Sequence, residues 1–419
     1  MCTVSDMRLK EVYPGFSKNP DFYRDRIDKV LCGYKNTFDG DKVRIFTAPG
    51  RTEIGGNHTD HQHGCVLAAA VDLDILAAAE ENGTDRIRIL SEGYEMTEVS
   101  LKDMDVREEE KNTSLSLIRG VAAAISQMGY EVRGFDAYMI SNVLKGSGLS
   151  SSAAFEVIVG TIINGLFCKG EIDAVKIAQI GQYAENVYFG KPSGLMDQMA
   201  SSVGGIVAID FNDTEKPIVK KVDFDFKDAG YSLCIIDSGA DHADLTDEYA
   251  SIPMEMKLVS KTVGKDYLRE TGIDEMLDNI VEIRKNAGDR GTLRALHFMK
   301  ENDRAQKEAE LLEEGKFDEF LDVVKESGYS SFMYLQNVTV CGSSKHQEVA
   351  FALAMCDILL NGKGAYRVHG GGFAGTVQAF VPNDMVNGFK ESIEKALGEG
   401  SCHVLSIRNV GGAELTEGE

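Results

Sequence analysis

The chain has 419 residues, 43% hydrophobic and 26% charged, with only 7 prolines. That composition excludes long disordered tails, and the length exceeds one ordinary core, so two domains are expected. Lys and Arg total 44 against 67 Asp and Glu, a net charge of −23. A surface this acidic repels nucleic acid and anionic membranes, and an anionic substrate would need positive charge concentrated locally. The 8 cysteines stand singly, without CxxC pairs, which predicts reduced thiols in a cytoplasmic protein. Met1 to Lys10 has no apolar leader, and a run of about eighteen apolar residues is nowhere found, so neither export nor membrane anchoring is expected.

Along the chain, Phe22, Ile27, Val30 and Leu31 predict an amphipathic helix over Asn19 to Tyr34. Val43 to Phe46 opens a strand that leads into Ala48-Pro49-Gly50-Arg51, and Gly64 to Ala79 reads as a second, β-rich stretch. Between them Arg51 to His63 forms a polar knot. Arg86 to Leu90 alternates like a strand, Leu115 to Met128 has helical spacing, and Phe135 to Ile140 is a further strand. In Asp173 to Tyr188 the residues Ile177, Ile180, Ala184 and Val187 share one helix face, which Pro192 and Gly194 end. The charged stretch Asp213 to Lys221 reads as a connector, dividing the chain into 1–212 and 213–419. Tyr231 to Asp237 follows as a buried strand. Glu248 to Glu326 carries helical charge patterning, in which Ala305 to Glu314 reads as a solvated face. Val377 to Val381 is a late strand, and there is neither an internal repeat nor a low-complexity tract.

Three glycine-bearing polar stretches carry the chemistry. In Gly146-Ser147-Gly148-Leu149-Ser150-Ser151-Ser152-Ala153-Ala154 the glycines allow a tight loop, hydroxyls follow, and a helix begins. Free N–H groups in a first helical turn, with the helix dipole behind them, favour an anion, and Ser hydroxyls there can hold a metal that bridges phosphates. The same pattern also fits a simple capped loop, and no Lys-Ser or Lys-Thr closes it as a Walker motif would. The others are Pro49-Gly50-Arg51 with Gly56-Asn57-His58-Thr59-Asp60, and Gly370-Gly371-Gly372-Phe373-Ala374-Gly375.

Together these stretches resemble the three signature motifs of the GHMP kinase superfamily, and within it the galactokinases. A fourth hallmark, Pro-x-Gly-x-Met-Asp-Gln, stands at Pro192 to Gln198. Weaker echoes run through Glu248-Tyr249 and Arg294-Ala295-Leu296-His297. The resemblance implies an α+β, two-domain GHMP kinase fold. Its N-terminal α/β domain has a left-handed βαβ crossover, its C-terminal domain is α+β, and the active site lies between them. It further implies transfer of the ATP γ-phosphoryl to the anomeric hydroxyl of galactose, with Mg²⁺.

Residue by residue, the resemblance assigns Gly146, Ser147, Gly148, Leu149, Ser150, Ser151, Ser152 and Ala153 to ATP, and Ser152 with Glu185 to the metal. Asp197 matches the catalytic aspartate and Arg51 its partner. An arginine there should lower the carboxylate's pKa, so the pair would act mainly by electrostatics and positioning. Asp60, His58, Gly194 and Tyr249 fall on sugar-contacting positions. The sequence departs from the pattern in having Asn57 where a Glu is usual and Glu53 where an Asn is usual. If Asn57 faces the sugar's C6 hydroxyl, a charge-assisted bond is lost, an effect of about 1 kcal/mol. A substrate with a C6 carboxylate, galacturonate, then stays open beside N-acetylgalactosamine and L-arabinose. So does a sugar sensor without catalysis, although Arg51, Asp197 and the serine loop are intact. A metal cluster of His58, His61 and His63 matches no zinc spacing well. Lys145, beside the glycine loop, either adds positive charge near the phosphates or faces solvent. The partners expected are a small sugar and ATP, with no nucleic acid and no membrane, as a monomer or weak dimer.

Overall fold

The computed structural model describes residues 4–144, 148–240, 245–373 and 375–416. Its strands are β1 (Arg44–Gly55), β2 (Cys65–Glu81), β3 (Arg86–Ser91), β4 (Thr97–Ser100), β5 (Phe135–Ser141), β6 (Ile206–Asp210), β7 (Ile218–Val222), β8 (Tyr231–Asp237), β9 (Ala365–His369), β10 (Thr376–Pro382), β11 (Cys402–Leu405) and β12 (Ala413–Glu414). The helices are α1 (Asp6–Val12), α2 (Pro20–Thr37), α3 (Ser114–Gln127), α4 (Ser151–Phe167), α5 (Ala174–Tyr183), α6 (Met196–Val203), α7 (Thr246–Thr262), α8 (Ile273–Asp278), α9 (Ile280–Glu313), α10 (Phe317–Ser330), α11 (Glu348–Leu360) and α12 (Val386–Leu397).

The first sheet runs β12-β1-β2-β5-β3-β4, with β6 and β7 added beyond the first half of β2. All its pairs are antiparallel except β3 with β5, whose connection contains α3. β2 is its central strand, buried along most of its length because both faces are covered. Its side chains alternate between them. Ala77 and Ala79 pack with Val157, Ile158 and Ile162 of α4, while Leu76 and Ala78 meet Ile27, Val30 and Tyr34 of α2. The second sheet, β11-β8-β10-β9, is antiparallel throughout. One face carries α11 and α12, and the other shares a core with the first sheet. There Leu233 and Phe380 join Ile54, Leu67 and Ile206 around Leu311, Leu312, Phe317 and Phe320 of α9 and α10. The fold is thus α+β, with two sheets wedged apart by helices.

Several local expectations change. Helix α2 starts where expected, with Asn19 capping the N–H of Phe22 and Pro20 at its first position. Its buried stripe, however, is Tyr23, Ile27, Val30 and Tyr34, and Phe22 is largely exposed. β1 does not end before Arg51 but continues to Gly55, with pairing irregularities after Pro49 and after Glu53. The stretch Asp213 to Lys221 is not a free connector, since Ile218–Val222 pairs with β6 inside the first sheet. Near the other end, β12 pairs with β1, and Ile407 bridges Val71, so residues beyond 406 also belong with that sheet. The stretch Ala305 to Glu314 is solvated on one face only. Gln306, Lys307, Glu310, Glu313 and Glu314 are exposed, while Ala305, Glu308, Ala309, Leu311 and Leu312 are buried because α9 lies between the sheets.

The ends of the chain are fastened to β2 by charge. Asp74 is fully buried and accepts hydrogen bonds from Tyr13 (2.7 Å), Thr47 (2.5 Å) and Arg408 (3.0 Å), with Arg26 2.6 Å from its second oxygen. Burial pushes this carboxyl up, but Arg26, Arg408 and the two hydroxyls outweigh it and hold it below the usual carboxylate range. Removing one member of such a buried ion pair typically costs about 3–5 kcal/mol, and Asp74→Ala is expected to lower the unfolding free energy by that amount in urea titrations at neutral pH. Since the folded value is depressed, the contribution is present above the unfolded value near about 3.9 and is lost as the pH falls through the folded one. The difference between wild type and variant should therefore shrink in strong acid.

Candidate active site

The bulge after Pro49 turns the Arg51 side chain to the end of the sheet where the serine loop meets α6. Its guanidinium, almost wholly buried, grips Asp197 with both arms, Nε to Oδ1 at 2.8 Å and a terminal nitrogen to Oδ2 at 2.6 Å. The other terminal nitrogen donates to the Gly148 carbonyl, and the Arg51 N–H donates to the Leu149 carbonyl at 3.1 Å. Asp197 occupies the first turn of α6, where the helix dipole favours its charge. Ser150, in the left-handed conformation at the start of α4, donates its hydroxyl to Asp197 at 2.6 Å. Burial raises the Asp197 carboxyl, but the charge and hydrogen bonds of Arg51, then Ser150 and Lys191, prevail and hold it below the ordinary range.

Gly148 (φ +67) has no room for a side chain: a Cβ would stand 3.0 Å from His369 Nδ1 and from Thr376 Oγ1. His369 in turn bonds Thr52 (3.0 Å) and accepts from the Glu53 N–H (3.2 Å), so one neutral imidazole ties β1, the serine loop and β10 together. Ser151 and Ser152 line a cavity of ≈ 700 Å³ with Ile75, Ile89, Tyr94, Leu117 and Phe155. Leu149 and Ala153 are wholly buried, and their side chains pack the loop against the core. Gly146 and Ser147, with Lys145, lie outside the described residues.

Glu185 reaches the same region through a π-helical turn, Ala184–Phe189, that extends α5. The wider turn shifts the register, so Glu185 faces inward and Val187, expected on the buried face, is exposed. The Glu185 carboxylate accepts from Ser193 (2.6 Å) and Gln198 (2.9 Å), and Lys191 Nζ lies 3.2 Å away. Glu156, one turn beyond Ser152, shares Gln198 (2.8 Å) and leaves its Oε1 buried without a partner. Burial, then the charge of Glu185, raises its carboxyl well above the usual range, so it is neutral.

Asp60 presses against Gly194, where any Cβ would overlap its carboxylate, and accepts the His61 N–H at 2.9 Å. Burial, then the charges of Asp197 and Glu53, raises its carboxyl to about 7. His58 (φ +58) donates Nε2 to the Gly371 carbonyl at 3.1 Å, and burial lowers its imidazole to about 4. Tyr249 donates to the Gly372 carbonyl at 2.9 Å, and its ring lies over Gly371 and edge-on to Phe373. Among the described residues, no three His, Cys, Asp or Glu side chains are grouped to hold a metal, so the histidines of the first motif form no such cluster.

Glu53 and Asn57 are the main correction. The Asn57 amide is fully buried and has every hydrogen bond met inside the protein. Nδ2 donates to Glu53 (3.0 Å) and to the Gly370 carbonyl (2.7 Å), and Oδ1 accepts from Asn337 (2.9 Å) and Ser331 (3.3 Å). Glu53 is paired with the fully buried Arg367. Neither is disposed as a substrate ligand. The two exchanged positions are one hydrogen-bonded pair, so the carboxylate moved four places in sequence and only one side chain in space. Sequence reading also missed Arg367, His369 and Lys191. The first two stand directly before the third glycine motif and Lys191 directly before the fourth hallmark, and that adjacency was the available signal.

The sequence matches the family description of GHMP kinases N terminal domain over residues 116–205 and the galactokinase galactose-binding signature over 33–81. It is 28% identical over 365 residues to a galactokinase of Streptomyces coelicolor, covering 87% of this chain and 91% of that protein. Its fold is similar to the structure of Lactococcus lactis galactokinase complexed with galactose, with TM-score 0.79 at 23% identity, covering 92% and 98% of the two chains. It is also similar to mevalonate kinase of Methanococcus jannaschii, with TM-score 0.60 at 14% identity over 88% and 100%.

If Glu53 and Asn57 form one unit, Asn57→Glu alone sets a second carboxylate against Glu53 and the Gly370 carbonyl, and should cost about 3 kcal/mol or more of unfolding free energy. Adding Glu53→Asn should restore at least half of that. Urea titrations of the four proteins close the cycle, and strictly additive losses would show that the side chains do not interact.

Proposed function

The chain belongs to the GHMP kinase superfamily and, within it, to the galactokinases, and from that premise we propose that it transfers the γ-phosphoryl of ATP to the anomeric hydroxyl of galactose. The observation that carries this reading is the doubly hydrogen-bonded Arg51–Asp197 pair, placed where the serine loop meets Asp60 and Gly194.

In this reading galactose lies against Asp60, Gly194 and the glycine loop that His58 and Tyr249 brace. Its anomeric hydroxyl donates to Asp197. The oxygen attacks the γ-phosphorus, the new O–P bond forms as the bond to the β-phosphate oxygen breaks, ADP leaves, and the hydroxyl proton passes through Asp197 to solvent. A carboxylate held below the usual range is a weak base, so Asp197 contributes chiefly by orienting the hydroxyl, and Arg51 by facing the charge that develops on the phosphoryl. The cavity beside Ser151 and Ser152, with apolar walls and Tyr94 at its rim, suits the nucleotide base.

Ser152 and Glu185 would hold Mg²⁺. The fit rests on hard oxygen donors, an ammonium already drawn to Glu185, and an unpartnered carboxyl oxygen on Glu156. A sparse protein donor set suits Mg²⁺, which takes one or two carboxylates and completes its shell with phosphates and water. When bound it neutralises phosphate charge. With Asn57 saturated and Glu53 bound to Arg367, the argument for a C6 carboxylate in the substrate loses its basis. The division at 213, a cytoplasmic location, and a monomer or weak dimer remain part of the proposal. Among the described residues no helix is long and apolar enough to cross a membrane.

Galactose-dependent ADP release, measured across a sugar panel with Mg-ATP, tests the substrate, and its absence with galactose overturns the assignment. Asp197→Ala should lower turnover by about a thousandfold or more while calorimetric galactose affinity changes only severalfold. Because burial and the charges of Asp197 and Glu53 push the Asp60 carboxyl up to about 7, galactose affinity should rise with pH through that range as the stronger acceptor forms. Asp60→Asn should flatten the profile.

A further inference from the structure

Among the described residues, positive charge is scarce where the phosphates would sit. Across the chain 44 basic residues face 67 acidic ones, and within the site Arg51 is already matched by Asp197. Glu185 adds a further carboxylate. The transfer of a multiply charged phosphoryl through such a place calls for a second cation.

Lys191 supplies one. It stands between Gly190 (φ +87) and Pro192, in the turn that closes the π-helical segment. The N–H groups of Gly190 and Lys191 both donate to the Glu185 carbonyl, at 3.0 and 3.2 Å. Pro192 restricts the backbone that follows. The stem is therefore fixed to the residue expected to hold the metal. The side chain is not fixed: it is 61% exposed, with its ammonium 3.2 Å from Glu185 Oε1. Ser193 and Gln198 both donate to Oε2, which keeps the carboxylate anchored, while the lysine holds Oε1, the oxygen that a divalent cation would take over. The ammonium also lies in the field of Asp197 and, more weakly, of Glu156. It thus lies 3.2 Å from Glu185 and in the field of both Asp197 and the acid one turn beyond Ser152.

We propose that Lys191 is a catalytic residue, whose ammonium rests on Glu185 in the empty site and moves to the transferred phosphoryl when the nucleotide and its metal bind. This rests on the kinase reading above. Lys191 keeps its proton and makes no covalent bond. It balances charge on the phosphoryl, and in the empty site it competes with a divalent cation for Glu185. An ordinary exposed ion pair would add little to stability and nothing to turnover.

The test uses the full chain with Lys191→Met and Lys191→Arg. In Lys191→Met, kcat/KM for ATP should fall about a hundredfold with the melting temperature nearly unchanged, and Lys191→Arg should recover at least a tenth of the activity. Two binding measurements stand apart from turnover. Calorimetry with a non-hydrolysable ATP analogue in EDTA should show Lys191→Met binding about tenfold more weakly. Mn²⁺ titrated into the nucleotide-free protein and followed by electron paramagnetic resonance should bind severalfold more tightly, because no ammonium must be displaced. Unchanged kcat/KM, or unchanged affinity in both binding measurements, overturns the proposal. A wild-type protein without galactose-dependent ADP release overturns the substrate reading instead, and the two binding measurements still decide the lysine.

Discussion

A carboxylate taken out of water must be paid for by its neighbours, and the contact between Arg51 and Asp197 is where this protein meets that requirement. Arg51 is nearly enclosed and the Asp197 side chain keeps 31% of its surface exposed, and their attraction outweighs the burial that raises the acid. Holding them in register takes a bulged strand, a helix that begins beside the carboxylate, a serine in a left-handed turn and a glycine carbonyl that accepts the last guanidinium arm. Glycine is required at two of the closest approaches. At Gly148 a side chain would meet His369, and at Gly194 it would meet Asp60. The glycines read in the sequence as loop formers act here by letting a neutral imidazole and a carboxyl pack directly on the backbone.

Behind the site lies a second charged layer. Arg367 joins Glu53, and Glu301 accepts the N–H groups of Gly56 and Asn57, each at 3.2 Å, together with the Ser327 hydroxyl. Burial works against the Glu301 charge, but Arg304 and its neighbours hold the carboxyl at about 2. Glu308, packed against Gly55 without a hydrogen-bond partner, is kept neutral by burial and by the charge of Glu301. His297 adds a bond to the Asn57 carbonyl at 2.9 Å. The first motif is therefore shaped from beneath by α9 and the third glycine motif, which explains why its loop can present Asp60 and His58 in fixed positions.

This layering also marks what was legible in the sequence. The pairing of Arg51, Asp60 and Asp197 could be read because each sits in a short motif with its own spacing, and the main strands because alternation is local. Glu53 and Asn57 were misjudged because their partner Arg367 is 314 residues away from Glu53, a contact no window along the chain can see. Ala305 to Glu314 was read only in part for a related reason. Glu310, Glu313 and Glu314 are exposed as expected, but Glu308 on the same helix turns inward against Gly55, a contact between residues far apart in the chain. Val187 failed differently, since one π-helical turn changes the period on which the face was counted.

The last described residues have a consequence for how the chain is made. β1 carries Arg51, yet one of its edges is paired by the two residues Ala413 and Glu414, and Asp74 receives a guanidinium from Arg408. Those partners come later in the chain than nearly all the other described residues. Until they are made the first sheet has an open edge and a buried acid short of one partner, so most of the sequence can be synthesised before the strand that carries Arg51 is locked. The closing of that strand is in this sense a late event in the making of the chain, timed by the arrival of β12.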